Sequence, residues 1–317
     1  MLEFAERSSD LRDSIQTMNN SASSNFGDRL AAAVRTKNSV VCVGLDPRWG
    51  SLPDSIRARV DVKDRNAVAG ATECYCRHVI DAVAECVPVV KPQAAFFEQL
   101  GPCGMVALGS IIQYARKAGL MVLLDGKRGD IGTTAEAYAD AYLGDCSAWQ
   151  CDALTVNPYL GDDTLQPFVD TCQSRAAGIF VLVKTSNPGS GFLQDKVVDG
   201  RTVYEQMAAL VQQHALQTVG SSGYGSIGAV VGATYPAQLA KLRSQMPNAW
   251  ILIPGYGAQG GTASDVALGF DHHGLGAIVN SSRGIIFAYQ LPRYASFTWQ
   301  EAVANSARDM AAELQNE

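Results

Sequence analysis

The stretch LLDGKRGDIGTT, residues 123–134, decides how this chain is expected to fold. An apolar run, Met121–Leu124, passes directly into the charged residues Asp125, Lys127 and Asp130. A short apolar run without alternation is typical of a parallel strand that is covered on both faces. Charges at its end indicate either a surface turn or a site built on the carboxyl end of the strand. The remainder of the chain decides between these two interpretations.

Similar runs recur along the chain, with helix-like segments between them. The eight predicted strands are Val40–Leu45, Val87–Lys91, Met121–Asp125, Ala153–Val156, Ile179–Lys184, Gly228–Val231, Trp250–Pro254 and Ala277–Asn280. The predicted helices are Asp64–Cys86, Gln113–Ala118, Thr133–Leu143, Tyr204–Thr218, Pro236–Ser244 and Trp299–Leu314. This alternation predicts an α/β protein, with a (β/α)₈ TIM barrel as the first choice and a doubly wound open sheet as the second.

The domain organisation follows from length and composition. A chain of 317 residues fits one α/β barrel, and a hydrophobic content of 47% provides a large core. We expect residues 1–27 to form an N-terminal extension and residues 28–317 to form a single catalytic barrel, because no linker divides the remainder. Gly189–Gly200 is polar and contains glycine, and it is the most loop-like interior stretch.

Charge and composition exclude several classes of protein. The net charge is −6, whereas a general nucleic-acid binder needs clustered Lys and Arg to neutralise phosphates. The N-terminus lacks the apolar region of a signal peptide, and no apolar run reaches the ~18 residues that span a bilayer. The eight cysteines form no pair of CxxC motifs, and we expect reduced thiols. We therefore expect a cytoplasmic protein without nucleic-acid or membrane partners.

Polar side chains fall repeatedly at the predicted strand ends, where barrels of this kind carry their sites. Asp46, Lys91 and Asp125 end the first three strands, and the segments 184–187 and 280–283 end two others. A single aspartate at a strand end is typical of a turn or a helix cap. Polar residues at the ends of five strands on one rim of the barrel favour a functional site.

The third strand end has a predictable electrostatic character. Asp125 and Lys127 are two residues apart, so in an extended chain their side chains point the same way. Lys91 could reach them from the adjacent strand, and Asp130 lies in the loop that follows, where it could also be a turn residue. Opposite charges ~4 Å apart attract by roughly 4 kcal/mol at an effective dielectric of about 20. A lysine between carboxylates therefore stays protonated and is a proton donor rather than a Schiff-base nucleophile.

The last two strands predict a phosphate site. Pro254–Gly261 is a glycine-rich loop that can approach a ligand closely, and Ser282 and Arg283 follow the eighth strand. Loops after strands seven and eight are the recurrent phosphate site of these barrels, and arginine pairs with phosphate through two hydrogen bonds. The four histidines lie away from the strand ends, which argues against histidine catalysis and histidine-based metal sites.

These residues resemble a known family. The segment Asp125–Ile131 resembles the DxKxxDI signature of the orotidine 5′-phosphate decarboxylases. The resemblance extends from Val41–Asp46 through Val90–Pro92 to Ser282–Gly284, and Lys184–Gly189 is similar to the longer, mainly bacterial subgroup. Gly126 occupies a position where a larger residue is common in the family.

The resemblance implies a role for each matched residue. Lys127 would protonate C6 of the pyrimidine after carbon dioxide leaves, Asp125 would lie beside the substrate carboxylate, and Lys91 would lie near the ribose. Asp130 would reach across a homodimer interface into the partner's site. The implied substrate contacts are Asp46 and Thr134 at the ribose hydroxyls, Ser186 at the pyrimidine amide edge, and Gln259 and Arg283 at the phosphate, with Ser282 beside them.

The resemblance further implies conversion of orotidine 5′-phosphate to uridine 5′-phosphate and carbon dioxide in pyrimidine biosynthesis, with no cofactor and no metal. One alternative is a magnesium-dependent sugar-phosphate decarboxylase or aldol-type synthase on a related barrel. Another is a non-catalytic phosphate-binding barrel, which would not need Lys127. The segment 186–189 and the pair Asp130–Ile131 favour the orotidine interpretation.

Overall fold

The computed structural model describes residues 25–257 and 260–315. In this part of the chain, eight parallel strands form a closed barrel in which each strand pairs with its neighbours in chain order and the last pairs with the first. The closing pair aligns Val41 with Val279 and Val43 with Ser281. Closure excludes the open sheet and confirms the predicted (β/α)₈ TIM barrel.

The barrel strands are β1 (Val41–Leu45), β2 (Val89–Pro92), β3 (Met121–Arg128), β4 (Ala153–Val156), β5 (Gly178–Lys184), β8 (Ile227–Val231), β9 (Ile251–Ile253) and β10 (Ala277–Ser281). A small antiparallel hairpin, β6 (Val197–Val198) and β7 (Arg201–Thr202), lies between β5 and β8. The α-helices of the described residues are α1 (Phe26–Lys37), α2 (Asp54–Arg57), α3 (Arg65–Val83), α4 (Ala95–Glu98), α5 (Pro102–Lys117), α6 (Gly132–Tyr142), α7 (Gln166–Arg175), α8 (Val203–Leu216), α9 (Pro236–Gln245), α10 (Ala263–Ala267), α11 (Arg283–Ile286) and α12 (Trp299–Gln315).

The eight predicted strands are all present, with ends that differ by a few residues. The largest difference is in β3, which continues to Arg128 rather than ending at Asp125, with an irregular register against β4. The unpredicted α-helices are α1, α2, α4, α7, α10 and α11. Helix α5 begins at Pro102, eleven residues before the predicted start at Gln113. Within Gly189–Gly200, the chain forms a short 3₁₀-helix (Pro188–Phe192) and the first strand of the hairpin.

Strand residues alternate between the outside and the inside of the barrel because successive side chains point to opposite faces. Val41, Val43 and Leu45 belong to the cluster that packs under the surrounding helices. The intervening residue Cys42 belongs to a second cluster, which fills the barrel interior together with Leu123 and others. Both faces of the strands are therefore buried, which explains their continuous apolar sequences.

Helix α1 closes the amino-terminal end of the barrel. Its Phe26 ring packs edge to face on Phe180 at a centroid distance of 6.0 Å, and Leu30 is fully buried in the same cluster. Gly178 permits this approach, because a Cβ there would lie 2.3 Å from the Phe26 ring. Arg29 adds a 2.8 Å ion pair to the buried Asp152. The barrel interior is thus sealed at this end by apolar packing.

The division of the chain into residues 1–27 and 28–317 stays a prediction. Residues 1–24 of the expected extension lie outside the described residues, and so does Gln259. Helix α1 begins at Phe26, so the expected boundary falls inside a helix that packs on the barrel. Among the helices described, none is both long and apolar enough to cross a membrane.

The seal at the amino-terminal end predicts a stability effect. Replacement of Leu30 by Ala should lower the free energy of unfolding by about 2–5 kcal/mol, because it leaves a cavity where α1 packs on the barrel. Urea unfolding followed by circular dichroism measures this change. The matched control is Thr36→Ala on the exposed side of the same helix. Equal effects of the two substitutions would contradict the sealing role of α1.

Candidate active site

The alternation of strand residues brings charged side chains into the carboxyl end of the barrel. Met121 and Leu123 point into the interior, so Asp125, two residues later on β3, points the same way. The same reasoning holds on β2, where the interior residue Val89 is followed by Lys91. Lys91 and Asp125 therefore meet above the apolar filling of the barrel.

Four donors surround the buried Asp125 carboxylate. Its Oδ2 accepts hydrogen bonds from Lys91 Nζ at 2.7 Å and Gln93 Nε2 at 2.9 Å. Its Oδ1 accepts from Lys127 Nζ at 2.5 Å and Thr155 Oγ1 at 3.0 Å. The ion pair between Asp125 and Lys127 confirms that these two side chains point the same way. A buried charge is tolerated only when it is paired and hydrogen-bonded in this manner.

The pKa values of Asp125 and Lys91 are shifted toward the charged forms of these groups. Burial by itself would raise the pKa of Asp125, but attraction to Lys91 and Lys127 outweighs it and holds that pKa well below its usual range. Burial likewise opposes the charged form of Lys91, yet the carboxylates of Asp125 and then Asp46 raise its pKa above the usual value. Asp125 and Lys91 are therefore two fixed, opposite charges rather than a pair that shares a proton.

The two lysines differ in their access to a ligand. The side chain of Lys91 is 5% exposed, whereas that of Lys127 is 48% exposed. Lys91 is thus enclosed beside Asp125, and Lys127 presents its ammonium group to the space above the barrel. Both lysines line this space, and Lys127 offers the larger surface to a bound molecule.

The backbone of Lys127 is in a conformation that side chains disfavour. Its φ of +46° lies in the left-handed region, which costs free energy for a residue other than glycine. The Lys127 N–H donates a 2.9 Å hydrogen bond to Thr155 Oγ1, and Thr155 is almost fully buried on the neighbouring strand β4. Thr155 therefore holds both the backbone of Lys127 and the carboxylate of Asp125.

Sequence reasoning missed Thr155 and Gln93. A signal for Thr155 was present, because it occupies an inward position of β4, next to the end of that strand. Gln93 directly follows β2 and forms a bridge with Asp125, which no local pattern indicates. Both contacts depend on how neighbouring strands are aligned.

A cavity of about 740 Å³ opens above these residues, and we call it the lysine cavity. Its base is formed by Lys91, Asp125, Lys127 and Thr155, and its apolar wall includes Leu182, Met207, Val230 and Leu252. Another wall is the segment that follows β5, of which Thr185, Ser186, Asn187, Leu193 and Gln194 line the cavity. Of the predicted site residues, the structure brings Lys91, Asp125, Lys127 and Ser186 together here.

Arg283 lines a second cavity of about 610 Å³, which we call the arginine cavity. The loop after β9 forms part of it through Gly257, Gly260 and Gly261, of which Gly257 and Gly260 have positive φ values of 66° and 94°. This loop also supplies Pro254 to the lysine cavity. The glycine-rich loop and Arg283 thus lie together, as predicted. These three glycines and Arg283 line the arginine cavity and not the lysine cavity.

Asp46, Asp130, Thr134 and Ser282 do not line the lysine cavity. Asp46 follows β1, and its buried Oδ1 has no hydrogen-bond partner among the described residues. Ser282 lies against β1, where a Cβ on Gly44 would be 1.8 Å from its Oγ. Thr134 is exposed in the first turn of α6, and the Asp130 carboxylate accepts a 2.8 Å hydrogen bond from the Ile131 N–H.

Across residues 25–257 and 260–315, His, Cys, Asp and Glu side chains form no group of three or more that could hold a metal ion. Independence from metal stays a prediction.

Comparison with known proteins gives a consistent result. The family model described as orotidine 5′-phosphate decarboxylase / HUMPS family matches residues 39–296. A Rhodopirellula baltica protein named orotidine 5′-phosphate decarboxylase is 54% identical over 297 residues, covering 91% of this chain and 98% of that protein. A protein of the same name from Caldicellulosiruptor bescii is 41% identical over 276 residues, covering 84% and 90%. The solved structure of Leishmania donovani OMP decarboxylase aligns with a TM-score of 0.72 and 33% identity, over 92% of this chain and 98% of that one.

The depressed pKa of Asp125 predicts a pH dependence of stability. A carboxyl group with a lower pKa in the folded state stabilises the fold above its unfolded pKa near 4, and this contribution is lost as the pH falls. Below pH ~4, the free energy of unfolding should therefore fall more steeply for the unsubstituted protein than for Asp125→Asn, by up to about 1.4 kcal/mol per pH unit.

Chemical unfolding at a series of pH values measures both slopes. The range from pH 6 to 8 is the internal control, since Asp125 is ionised there in both states and the two slopes should coincide. Equal slopes below pH 4 would contradict the depressed pKa of Asp125.

Proposed function

Since the chain belongs to the orotidine 5′-phosphate decarboxylase / HUMPS family, we propose that the lysine cavity is where it converts orotidine 5′-phosphate to uridine 5′-phosphate and carbon dioxide. The reaction makes the chain a carboxy-lyase of pyrimidine biosynthesis. The observation that carries the assignment of the site is the Asp125 carboxylate, held between one buried lysine and one lysine that is open to the cavity.

Lys127 is the proton donor of this proposal. When the bond between C6 and the carboxylate breaks, carbon dioxide leaves and the electron pair stays on C6. The ammonium group of Lys127 stabilises that charge and then transfers a proton to C6, and water reprotonates the lysine after product release. Its half-exposed side chain and its place in the lining of the lysine cavity support this role.

Asp125 and Lys91 set the charge around the reacting carbon. Asp125 pairs with the Lys127 ammonium group and aims it, and its fixed negative charge repels the carboxylate of the substrate. Lys91 balances the charge of Asp125 from the buried side, and we assign its free contacts to the ribose. The low exposure of both side chains supports a role in which they hold position rather than exchange protons.

Neighbouring polar groups bind the base and the ribose of the substrate in this proposal. We assign Ser186 to the amide edge of the pyrimidine, because it lines the same cavity as Lys127. Asp46 and Thr134 are assigned to the ribose hydroxyls. The buried Asp46 Oδ1 supports this, because the described part of the chain gives it no donor and a ribose hydroxyl would supply one.

We assign the phosphate to Gln259, Ser282 and Arg283. Arginine binds phosphate through paired hydrogen bonds, and the glycine-rich loop lines the arginine cavity beside it. In this proposal the loop after β9, which also supplies Pro254 to the lysine cavity, joins the two cavities around one ligand. Binding energy from the phosphate would then orient the distant C6.

We further propose a cytoplasmic homodimer in which Asp130 completes the partner's site. Large apolar side chains are exposed beside the site: Ile131 is 62% exposed, Tyr159 is 74% exposed and Leu160 is 52% exposed. Such a patch is typical of a surface that binds another protein. All eight cysteines are free, which fits a reducing compartment.

Removal of the Lys127 ammonium tests the chemistry. Lys127→Ala should lower kcat/KM for orotidine 5′-phosphate by at least about 10⁴-fold, because the proton and the electrostatic stabilisation of C6 are lost together. Loss of substrate absorbance in excess EDTA measures the rate. The control is Lys117→Ala, which removes an exposed lysine from α5.

Two outcomes of this assay would count against the proposal. No turnover by the folded, unsubstituted protein in EDTA would favour the magnesium-dependent alternative. Full activity of Lys127→Ala would remove Lys127 from the reaction.

A subunit-mixing experiment tests the shared site. Lys127→Ala and Asp130→Asn should each be inactive as pure dimers, but their mixture should recover about a quarter of the normal activity. Half of the dimers in an equal mixture contain both subunits, and one of the two sites in such a dimer carries both functional residues.

The control mixture contains Lys127→Ala and the double variant Lys127→Ala/Asp130→Asn, in which no intact site can form. Subunits that carry different tags show whether mixed dimers form. If mixed dimers form and activity does not return, Asp130 does not act in the partner's site.

A further inference from the structure

Lys184 is a deeply buried charged side chain that the reaction does not use. It is the last residue of β5, and it is 0% exposed, compared with 4% for Lys91. It does not line the lysine cavity, although Leu182, Val183 and Thr185 on either side of it do. A buried ammonium group is costly unless it is paired, so its partners indicate what it holds.

Lys184 contacts residues that belong to the segment after β5 or that pack against it. Its Nζ lies 2.6 Å from Asp195 Oδ1 and donates to Ser190 Oγ at 3.2 Å. The ring of Tyr235 faces the ammonium group at 4.4 Å, within the range of a cation–π contact. Lys184 thus joins the start of this segment to its end, eleven residues later. We call residues 185–195 the β5 loop.

A second connection runs parallel to this ion pair. Gln194 accepts a 3.0 Å hydrogen bond from the Thr185 N–H, and its amide donates to Thr185 Oγ1 at 2.8 Å. Thr185 Oγ1 in turn donates to Asn187 Oδ1 at 2.7 Å. The β5 loop is therefore folded back onto its own first residues.

Ser186 lies inside the turn that these connections enclose. From the other side it rests on the chain after β8, where a Cβ on Gly232 would be 2.8 Å from the Ser186 Cα. The Gly232 N–H donates to the Lys184 carbonyl at 2.8 Å. Ser186 is thus held between the barrel and the returning part of the loop, with Leu193 and Gln194 beside it in the cavity lining.

We propose that Lys184 and Asp195 are positioning residues for recognition of the pyrimidine. Their ion pair closes the β5 loop and aims Ser186 at the base of the ligand, while neither residue touches the ligand. This inference rests on the proposed function, because it takes Ser186 as the group that contacts the base. The pair acts on the base alone, since the β5 loop does not line the arginine cavity.

Two ligands separate this role from general damage to the fold. Uridine 5′-phosphate carries the base, and ribose 5-phosphate lacks it. Lys184→Met should weaken binding of uridine 5′-phosphate about tenfold, as expected for one misplaced hydrogen bond, and leave binding of ribose 5-phosphate within about twofold. Calorimetry of the full-length protein measures both dissociation constants.

The matched control is Lys241→Met on α9, which removes another lysine–carboxylate pair, with Glu205, away from the cavity. Asp195→Asn is the second variant, and it changes only the half-exposed partner of the pair. It should show the same selective loss even if Lys184→Met folds poorly.

A double-mutant cycle tests whether the pair acts through Ser186. In a Ser186→Ala background, Lys184→Met or Asp195→Asn should add less than about twofold to the loss of uridine 5′-phosphate binding, because the aimed group is already absent. Full additivity, equal weakening of both ligands, or unchanged binding in both variants would each overturn the inference.

Failure of the proposed function gives a different result. An unsubstituted protein that binds uridine 5′-phosphate no more tightly than ribose 5-phosphate would overturn the function and this inference with it. An unsubstituted protein that distinguishes the two ligands, with variants that distinguish them equally well, would overturn the inference alone.

Discussion

The Asp125 carboxylate carries a negative charge in the buried upper interior of the barrel, and four donors hold it there. Three of these donors come from elements other than β3, so the charge is stable only when β2, β3 and β4 are aligned as they are. Thr155, one of these donors, also accepts a hydrogen bond from the Lys127 N–H and so holds Lys127 in its left-handed conformation. The geometry of the site therefore depends on the same alignment of strands that closes the barrel.

The two ends of the barrel satisfy opposite physical needs. At the amino-terminal end, α1 covers the interior with apolar side chains, so the fold is sealed there by the hydrophobic effect. At the carboxyl end, the interior residues become charged and the strands end in open loops. Stability and chemistry are thus placed at opposite ends of the same strands, as expected for this class of barrel.

Two loops at the carboxyl end are built by different means. The β5 loop is held by side chains, through the Lys184–Asp195 ion pair and the Thr185–Gln194 hydrogen bonds. The loop after β9 is shaped by its backbone, with glycines at positive φ. A loop held by side chains keeps a polar group in a fixed direction, which suits contact with a flat base. A glycine-rich backbone can approach a compact anion from several directions.

The eight strands were predictable from the sequence, because apolar runs that end in polar residues recur between helix-like segments. This pattern favoured the barrel over an open sheet, and closure of the barrel excludes the open sheet. The sequence also determined that Asp125 and Lys127 share one side of β3, since the alternation of side chains is a local property of a strand. It did not indicate α1 or the contacts of Thr155 and Gln93.

Which charges meet depends on the closed barrel and its loops. Lys91 and Lys184 both follow the apolar residues of their strands, and no local pattern distinguishes them. One is paired with Asp125 in the lysine cavity, and the other is turned to Asp195 behind the cavity wall. The physical reason is that a buried charge is defined by partners that are distant in the sequence, and only the register of the closed barrel and the path of its loops bring those partners within hydrogen-bonding distance.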